Sequence, residues 1–240
     1  GLQGSEIVPS DPDAPSSIVG LAQAGAAEME RHLKSKHPRI VAIGTGRALR
    51  ACVEQLSPMD CPQHRIVSLL GNMMSDGAAT AYNVVIRMAD RVNARHYPMP
   101  LPVYARSAEE KRILHSQEPV HNILELIRQA DVTFVGIGNM DMNAPLLIDG
   151  FLTREDIRAF TRAGAVGEIT SWVYDAQGRV IEGLVNDQVN SAPLRANQTN
   201  PVYGIAAGEQ KVAAIRGAMK GGLINHLISN EHTAELLLKA

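Results

Sequence analysis

The chain has 240 residues, 45% of them hydrophobic, which is enough for one large α/β domain or two small ones. Its 23 lysines and arginines are balanced by 25 acidic residues, and this formal charge of −2 argues against direct binding to nucleic acid. The sequence contains no membrane-length apolar run and no secretory-signal pattern at its start, and two cysteines are too few for a disulfide framework. We therefore expect a cytoplasmic protein.

Short apolar strands and amphipathic helices alternate along the whole chain. The predicted strands cover residues 5–9, 40–43, 66–70, 95–97, 132–135, 164–169, 202–206 and 223–228. The predicted helices cover residues 17–34, 47–56, 78–92, 107–115, 120–130, 153–162, 209–219 and 231–238. This alternation predicts an α/β fold in one domain, with a mostly parallel sheet covered on both faces. Residues 172–200, which begin with a hairpin, are a candidate lobe.

The stretch 39–56 contains the first candidate site, a buried strand joined to a helix by Gly44, Thr45 and Gly46. Glycines allow close approach of a ligand to the backbone, and the N–H groups at a helix N-terminus attract anions. Arg47 adds a guanidinium suited to phosphate. A plain tight connection is an equally good interpretation of this motif. Leu49 replaces the third glycine of a dinucleotide fingerprint and the Walker spacing is missing, which favours a small phosphorylated ligand over NAD or ATP.

Two further predicted strands end in glycine. Gly71 and Asn72 close the strand at 66–70, and Gly136 and Gly138 follow the strand at 132–135. Strand ends of a parallel sheet meet at one edge, so we expect these glycines to face a common crevice.

The segments beside these strand ends also have predicted roles. Residues 139–148 would form the lip of the crevice. The segment PMPLPVYA, residues 98–105, carries three prolines and is predicted to be an irregular loop near the ligand.

Charged residues near these turns are the remaining candidates. Lys211 falls in the first turn of its helix, where a cation is disfavoured unless a bound phosphate reverses that cost. A solvated lysine compensated by Glu209 is an equally good interpretation. Glu168 could accept sugar hydroxyls or act as a base, with an exposed edge glutamate as the alternative, whereas Asp141 and Asp149 are predicted to be turn residues. The histidines lack zincin spacing, so no metal site or cofactor is predicted.

The ordered set of glycine strand ends, IVAIGTGRAL, SLLGNM, DVTFVGIGN, GAVGEI and G-x-x-K-x-x-A-I, followed by N-x-L-I and E-x-T-A-x-x-L-L, resembles the effector-binding domain of SorC-type sugar-responsive transcriptional regulators. The resemblance spans essentially all 240 residues. It implies a three-layer Rossmann-like sandwich related to ribose-phosphate isomerases, glucosamine-phosphate deaminases and CoA transferases.

The resemblance also implies a function. Such a domain binds a phosphorylated sugar or polyol, forms homodimers or homotetramers, and alters operator binding by an N-terminal helix-turn-helix. That helix-turn-helix is not found in these residues, so we expect no unaided binding to operator DNA. The resemblance assigns the ligand's phosphate to Gly44, Thr45, Gly46, Arg47 and Lys211, although the glycine turn varies within the family and leaves the role of Arg47 open. The sugar is assigned to the residues Asn72, Gly138 and Glu168.

A sugar-phosphate isomerase or deaminase on the same fold is the rival interpretation, because fold alone does not fix function. An enzyme needs a base and partners that move protons. Glu168 is the one convincing base, and residues 136–139 lack the Asp-Gly-His group that the deaminases carry. The sequence therefore favours a sensor without catalytic residues. A purely structural assembly domain would leave the converging glycine ends unexplained.

Overall fold

The computed structural model describes residues 1–11, 13–14, 17–74 and 76–239. Its strands are β1 (Gly4–Val8), β2 (Ile40–Ile43), β3 (Arg65–Met73), β4 (Arg95–Pro102), β5 (Val132–Gly136), β6 (Gly138–Asn139), β7 (Ala165–Ile169), β8 (Trp172–Asp175), β9 (Val202–Ile205) and β10 (His226–Asn230). Its α-helices are α1 (Val19–Leu33), α2 (Arg47–Gln55), α3 (Val84–Val92), α4 (Ala108–His115), α5 (Glu118–Arg128), α6 (Pro145–Ile148), α7 (Arg154–Arg162), α8 (Val212–Lys220) and α9 (Glu231–Lys239). Short 3-10 helices cover Leu184–Gln188 and Glu209–Lys211.

The main sheet has seven strands in the order β1-β10-β9-β5-β2-β3-β4, and every pairing in it is parallel. The interior strand β2 pairs with β3 on one side and with the central strand β5 on the other. The carboxyl ends of β2 and β5 therefore lie side by side, and the Gly44 N–H donates to the Phe134 carbonyl at 2.9 Å. The predicted parallel α/β sheet is confirmed.

Side chains of β2 alternate between two separate apolar cores. Val41 and Ile43 pack with α1, α2 and α3, whereas Ile40 and Ala42 pack on the other face with α5. All four are buried, as expected for a strand covered on both faces. The helices therefore lie in one layer on each face of the sheet, which gives the predicted three-layer arrangement.

A second, smaller sheet continues directly from the end of β5. Its antiparallel strands run in the order β6-β7-β8, and an apolar cluster of α6, α7 and β8, which includes Phe160 and Val173, lies beside it. This sheet carries Glu168 on β7 opposite Gly138 on β6. It therefore forms one wall above the carboxyl ends of the main strands.

The segment 98–105 is not the irregular loop that its prolines predicted, because β4 runs through it to Pro102. The strand lies at the edge of the sheet and pairs with β3 alone. Met99 and Leu101 point into the core, and the Val103 N–H donates to the Met73 carbonyl at 3.0 Å. By alternation the prolines occupy outward-facing positions, where a missing N–H removes no ladder hydrogen bond.

Two other predicted boundaries were also wrong. The helix predicted over 78–92 begins only at Val84, because Ala78 and Thr80 fold back to hydrogen-bond the end of β3 and Asn83 adopts a left-handed conformation with φ of 43°. The strand predicted over 223–228 lies at His226–Asn230. Asn230 caps the last helix by accepting from the Thr233 N–H at 3.0 Å.

A polar cluster between α1 and β9 predicts sensitivity to acid. Burial lowers the pKa of His32, and Arg31 lowers it further. Burial also acts on Glu28, but hydrogen bonds from Arg31 and Tyr203 outweigh it and leave the pKa of Glu28 below its ordinary value. Both folded-state pKa values are depressed, so stability is lost as pH falls: first below about 6.5 through His32, then below about 4.5 through Glu28.

We therefore expect the free energy of unfolding, measured with urea, to fall between about pH 7.5 and pH 5.5. The substitution His32→Gln should reduce this fall, because the variant cannot gain the proton that the unfolded chain takes up. His37→Gln removes an exposed histidine and is the control. An identical pH dependence in all three proteins would contradict the assignment.

Candidate functional site

A cavity of about 110 Å³ lies where β2 and β5 end, beneath the wall formed by the smaller sheet. This volume is several times the roughly 10–15 Å³ that one buried water requires, so that a small polar ligand has room. Its lining includes seven of the predicted site residues, Thr45, Gly46, Arg47, Gly136, Gly138, Glu168 and Lys211. Apolar side chains complete it, among them Leu70, Ile137, Leu146 and Phe151.

The floor of the cavity is the glycine turn between β2 and α2. Gly46 is the N-cap of α2 with φ of 115°, a conformation that side chains rarely adopt, and an added Cβ there would meet nothing within 4 Å. The turn therefore needs glycine for its backbone shape and leaves open space above it. The first N–H groups of α2 have no acceptor within the helix and carry its positive dipole end, so they can receive an anion.

The glycines at the carboxyl end of β5 line the cavity together with Glu168. A Cβ on Gly138 would lie 2.3 Å from the Glu168 Oε1, whereas a Cβ on Gly136 would only reach ordinary contact with the Thr45 carbonyl at 3.5 Å. Gly138 is thus required by the close approach of the carboxylate. The edge-glutamate alternative is wrong, since Glu168 lines the cavity and is partly buried.

The Glu168 carboxylate is held by a tight turn between β7 and β8. The Ser171 N–H donates to its Oε2 at 2.9 Å, and Thr170 and Ser171 have φ of 49° and 72°. Positive φ at two successive non-glycine residues, one of them β-branched, stores backbone strain of about 1–3 kcal/mol each. Burial raises the pKa of Glu168, while the Ser171 N–H and the charge of Lys211 lower it.

Lys211 enters the cavity from the opposite side, where the 3-10 turn passes into α8. Burial lowers the pKa of Lys211, Glu168 raises it, and the cation of Arg47 lowers it. Lys211 forms none of the ion pairs found among the described residues. Its ammonium is therefore available to an anion in the cavity, and the described residues show no ion pair between Lys211 and Glu209.

The lip, residues 139–148, lies at the open side of the cavity, and Asp149, the residue that follows it, makes the closing contacts. Asp149 accepts from Arg47 Nη2 at 3.0 Å and from the Tyr82 hydroxyl at 3.0 Å. Burial raises the pKa of Tyr82, and its hydrogen bond to Asp149 raises it further. Asp149 lies in the turn after α6, as predicted, and its contacts in the cavity are a further role that the sequence did not predict. Asp141 accepts from the Asn143 N–H at 2.6 Å within its own turn.

The other three predicted site residues lie outside this cavity. Gly44, Gly71 and Asn72 line a smaller neighbouring cavity of about 20 Å³, which shares Thr45 and Leu70 with the main one. Gly71 has a packing reason of its own, because a Cβ there would lie 2.3 Å from the Leu101 carbonyl of β4.

Sequence reasoning missed four polar residues of the main cavity, Tyr82, Asp149, Thr170 and Ser171. The hairpin predicted from Trp172 left Thr170 and Ser171 just outside it, although two residues between strands of alternating pattern are a recognisable turn signal. Asp149 offered no signal, because its partner Arg47 is 102 positions away in the chain.

The site therefore brings together two cations, two carboxylates, hydroxyls and helix N–H groups around a small enclosed space. Cations and N–H groups bind anions such as phosphate, and carboxylates accept hydrogen bonds from hydroxyl groups. No cluster of three or more His, Cys, Asp or Glu side chains that could hold a metal ion occurs in the described residues. Within the same residues, no helix has the length and apolar character needed to span a bilayer.

A cavity of this kind at the carboxyl edge of a parallel sheet defines an α/β domain that binds small polar molecules. Residues 1–239 match the family model Sugar-bind, "putative sugar-binding domain". The chain is 29% identical over 238 residues to the erythritol catabolism regulatory protein EryD of Brucella abortus, covering 99% of this chain and 75% of that protein. It is 32% identical over 244 residues to the transcriptional regulator LsrR of Escherichia coli K12, covering 100% of this chain and 74% of LsrR.

Solved structures share the fold. The full-length sorbitol operon regulator SorC from Klebsiella pneumoniae superposes with a TM-score of 0.85 at 24% identity, covering 99% of this chain and 77% of that one. A DeoR family regulator from Listeria monocytogenes gives a TM-score of 0.87 at 20% identity, with 99% and 94% covered. The chain belongs to the family of sugar-binding, effector-sensing domains of SorC-type transcriptional regulators.

Proposed function

We propose that the domain senses a phosphorylated sugar or polyol in the cytoplasm and controls DNA binding exerted by a separate helix-turn-helix domain. The phosphate binds between the N-terminus of α2 and Lys211, and the hydroxyl groups of the ligand reach Glu168. The domain acts as a homodimer or homotetramer. The similar proteins EryD, LsrR and SorC are named as regulators, and this supports the regulatory part of the proposal.

One observation carries the proposal: the half-buried ammonium of Lys211 and the N-terminus of α2 line the same cavity. A partly desolvated cation without an ion pair is costly, and a bound phosphate supplies the missing partner. Glu168 is held by the Ser171 N–H on one oxygen, which leaves its other oxygen to accept from a sugar hydroxyl. The dimensions of the cavity suit a small ligand.

We also propose that the domain binds its ligand without converting it. An isomerase or deaminase must move protons between a base and at least one partner group. The cavity lining, as far as the structure describes it, contains no histidine, and Asp149 is engaged by Arg47 and Tyr82. Lys211, which faces Glu168, is assigned here to the phosphate, and this leaves Glu168 as a base without a second free proton-moving partner.

Thermal unfolding against a panel of sugar phosphates, polyol phosphates and their unphosphorylated parents tests the proposal, with product formation assayed in the same samples. At 100 times its dissociation constant a ligand adds about 2.7 kcal/mol, so we expect the unfolding midpoint to rise by roughly 5–10 °C. The unphosphorylated parent should give no shift. Equal shifts of the unfolding midpoint with phosphorylated ligands and with their unphosphorylated parents would contradict the phosphate assignment. Product formation would establish the sugar-phosphate isomerase or deaminase interpretation instead.

A further inference from the structure

The contact between Arg47 and Asp149 lies at the N-terminus of α2, which the proposed function assigns to phosphate. Both oxygens of the Asp149 carboxylate accept hydrogen bonds, one from Arg47 and the other from the Tyr82 hydroxyl. Asp149 directly follows α6, the helical end of the lip, and its own N–H donates to the Pro145 carbonyl at 2.8 Å. The carboxylate therefore ties the lip to the helix α2 that begins the anion site.

The charges around Asp149 make this contact sensitive to an anion. Arg47 pairs with Asp149 directly, and the Asp149 charge also acts on Glu168, whose pKa it raises. Lys211 faces Glu168 and Arg47 across the same cavity. With all four groups ionised, two positive and two negative charges cancel. A phosphate that enters beside Arg47 and Lys211 adds about −1.5 to −2 charges and repels the Asp149 carboxylate.

We infer that Asp149 is an internal competitor for the ligand's phosphate: its carboxylate holds Arg47 and the lip together, and a bound phosphate takes its place and releases the lip. This inference rests on the proposed function and adds to it the first step by which binding changes the shape of the domain. A phosphate can replace the carboxylate because it offers more acceptor oxygens and is also held by Lys211 and helix N–H groups. An unphosphorylated sugar carries no such group and leaves the contact in place.

The substitution Asp149→Asn tests the inference because it removes the competing charge and keeps the size of the side chain. We expect the variant to bind inorganic phosphate roughly two- to fivefold more tightly than the wild type, since an exposed charge-assisted hydrogen bond no longer has to be broken. Binding is measured by titrating phosphate into ¹⁵N-labelled protein and following the amide signals of Gly46 and Arg47. Asp141→Asn is the matched control, because Asp141 lies in the lip and contacts the Asn143 N–H instead of Arg47.

Release of the lip has its own readout, amide hydrogen exchange. The N–H groups of Asp149 and Phe151 donate to the Pro145 and Leu146 carbonyls, each at 2.8 Å, and they should exchange faster in Asp149→Asn than in the wild type without phosphate. Phosphate should accelerate the same two amides in the wild type. Tyr82→Phe, which removes one hydrogen bond to Asp149 and no charge, should give an intermediate acceleration.

The outcomes separate this inference from the proposed function. Saturable phosphate binding by the wild type, with equal or weaker binding by Asp149→Asn, would overturn the competitor role and leave the phosphate site standing. Unchanged hydrogen exchange at the amides of Asp149 and Phe151 when phosphate binds would overturn the release of the lip. Failure of both proteins to bind phosphate would overturn the phosphate assignment, and the inference with it.

Discussion

Replacing Lys211 by alanine should weaken binding of the phosphorylated ligand by roughly 10- to 150-fold without unfolding the domain. A hydrogen bond to a charged group contributes about 1.5–3 kcal/mol, and each 1.4 kcal/mol is a factor of about ten in affinity. The fold should survive because Lys211 forms none of the ion pairs among the described residues and because burial already disfavours its charged form. Isothermal titration calorimetry measures the affinity, and thermal unfolding measures the stability.

Lys220→Ala is the matched control for this experiment. Lys220 ends the same helix, α8, but it is exposed and does not line the cavity. The two variants each remove one positive charge, one at the start of α8 and the other at its end. A difference in ligand affinity between them therefore reports a local role of Lys211. Equal affinities of Lys211→Ala and Lys220→Ala would remove Lys211 from the phosphate site.

Replacing Gly71 by alanine should destabilise the fold by about 2–3 kcal/mol, which is a fall in the unfolding midpoint of roughly 4–12 °C for a chain of this length. The added Cβ would lie 2.3 Å from the Leu101 carbonyl and 2.6 Å from the Pro102 carbonyl. Both atoms belong to the backbone of β4, so the clash can be relieved only by separating the two strands. Chemical denaturation and thermal unfolding measure the loss.

Gly136→Ala is the comparison, since Gly136 ends β5 whereas Gly71 lies within β3, and a Cβ on Gly136 would meet only the Thr45 carbonyl at an ordinary 3.5 Å. We expect it to unfold close to the wild-type midpoint. The glycine pattern placed Gly71 beside the ligand, and the contact with β4 gives it a packing role of its own. A Gly71→Ala protein with wild-type stability and reduced ligand affinity would restore the original assignment.

Those parts of the fold that depend on local pattern could be predicted from the sequence. The strand Ile40–Ile43 was predicted residue for residue, because four consecutive buried apolar residues lie between polar and glycine boundaries. The helix predicted over 153–162 is α7 at Arg154–Arg162, where the Thr153 side chain caps the helix by accepting from the Asp156 N–H at 3.1 Å. Strand β4 was predicted only over 95–97, and its continuation to Pro102 was missed, because the tolerance of its prolines depends on a place at the sheet edge that no local pattern reveals.

The site residues fall into the same two groups, those marked by local sequence pattern and those whose role depends on the fold. Glycine turns at strand ends are local signals, and because parallel strands end at one edge, the residues at Thr45, Gly46, Gly136 and Gly138 share a cavity. Glu168 and Lys211 were singled out for chemical character and for the family resemblance. Asp149 and Tyr82 could not be found, since each is recognised only by its contact with a residue distant in the chain.

The prolines of β4 also limit how the sheet could be extended. A strand from another chain can join a sheet only where an edge presents N–H donors and carbonyl acceptors. On the outer side of β4 the alternating positions Pro98, Pro100 and Pro102 carry no N–H, so this edge is a poor template for strand addition and aggregation. At the opposite edge, β1 (Gly4–Val8) contains no proline and pairs only with β10. Any assembly that continues the main sheet from one copy to the next would therefore have to use β1.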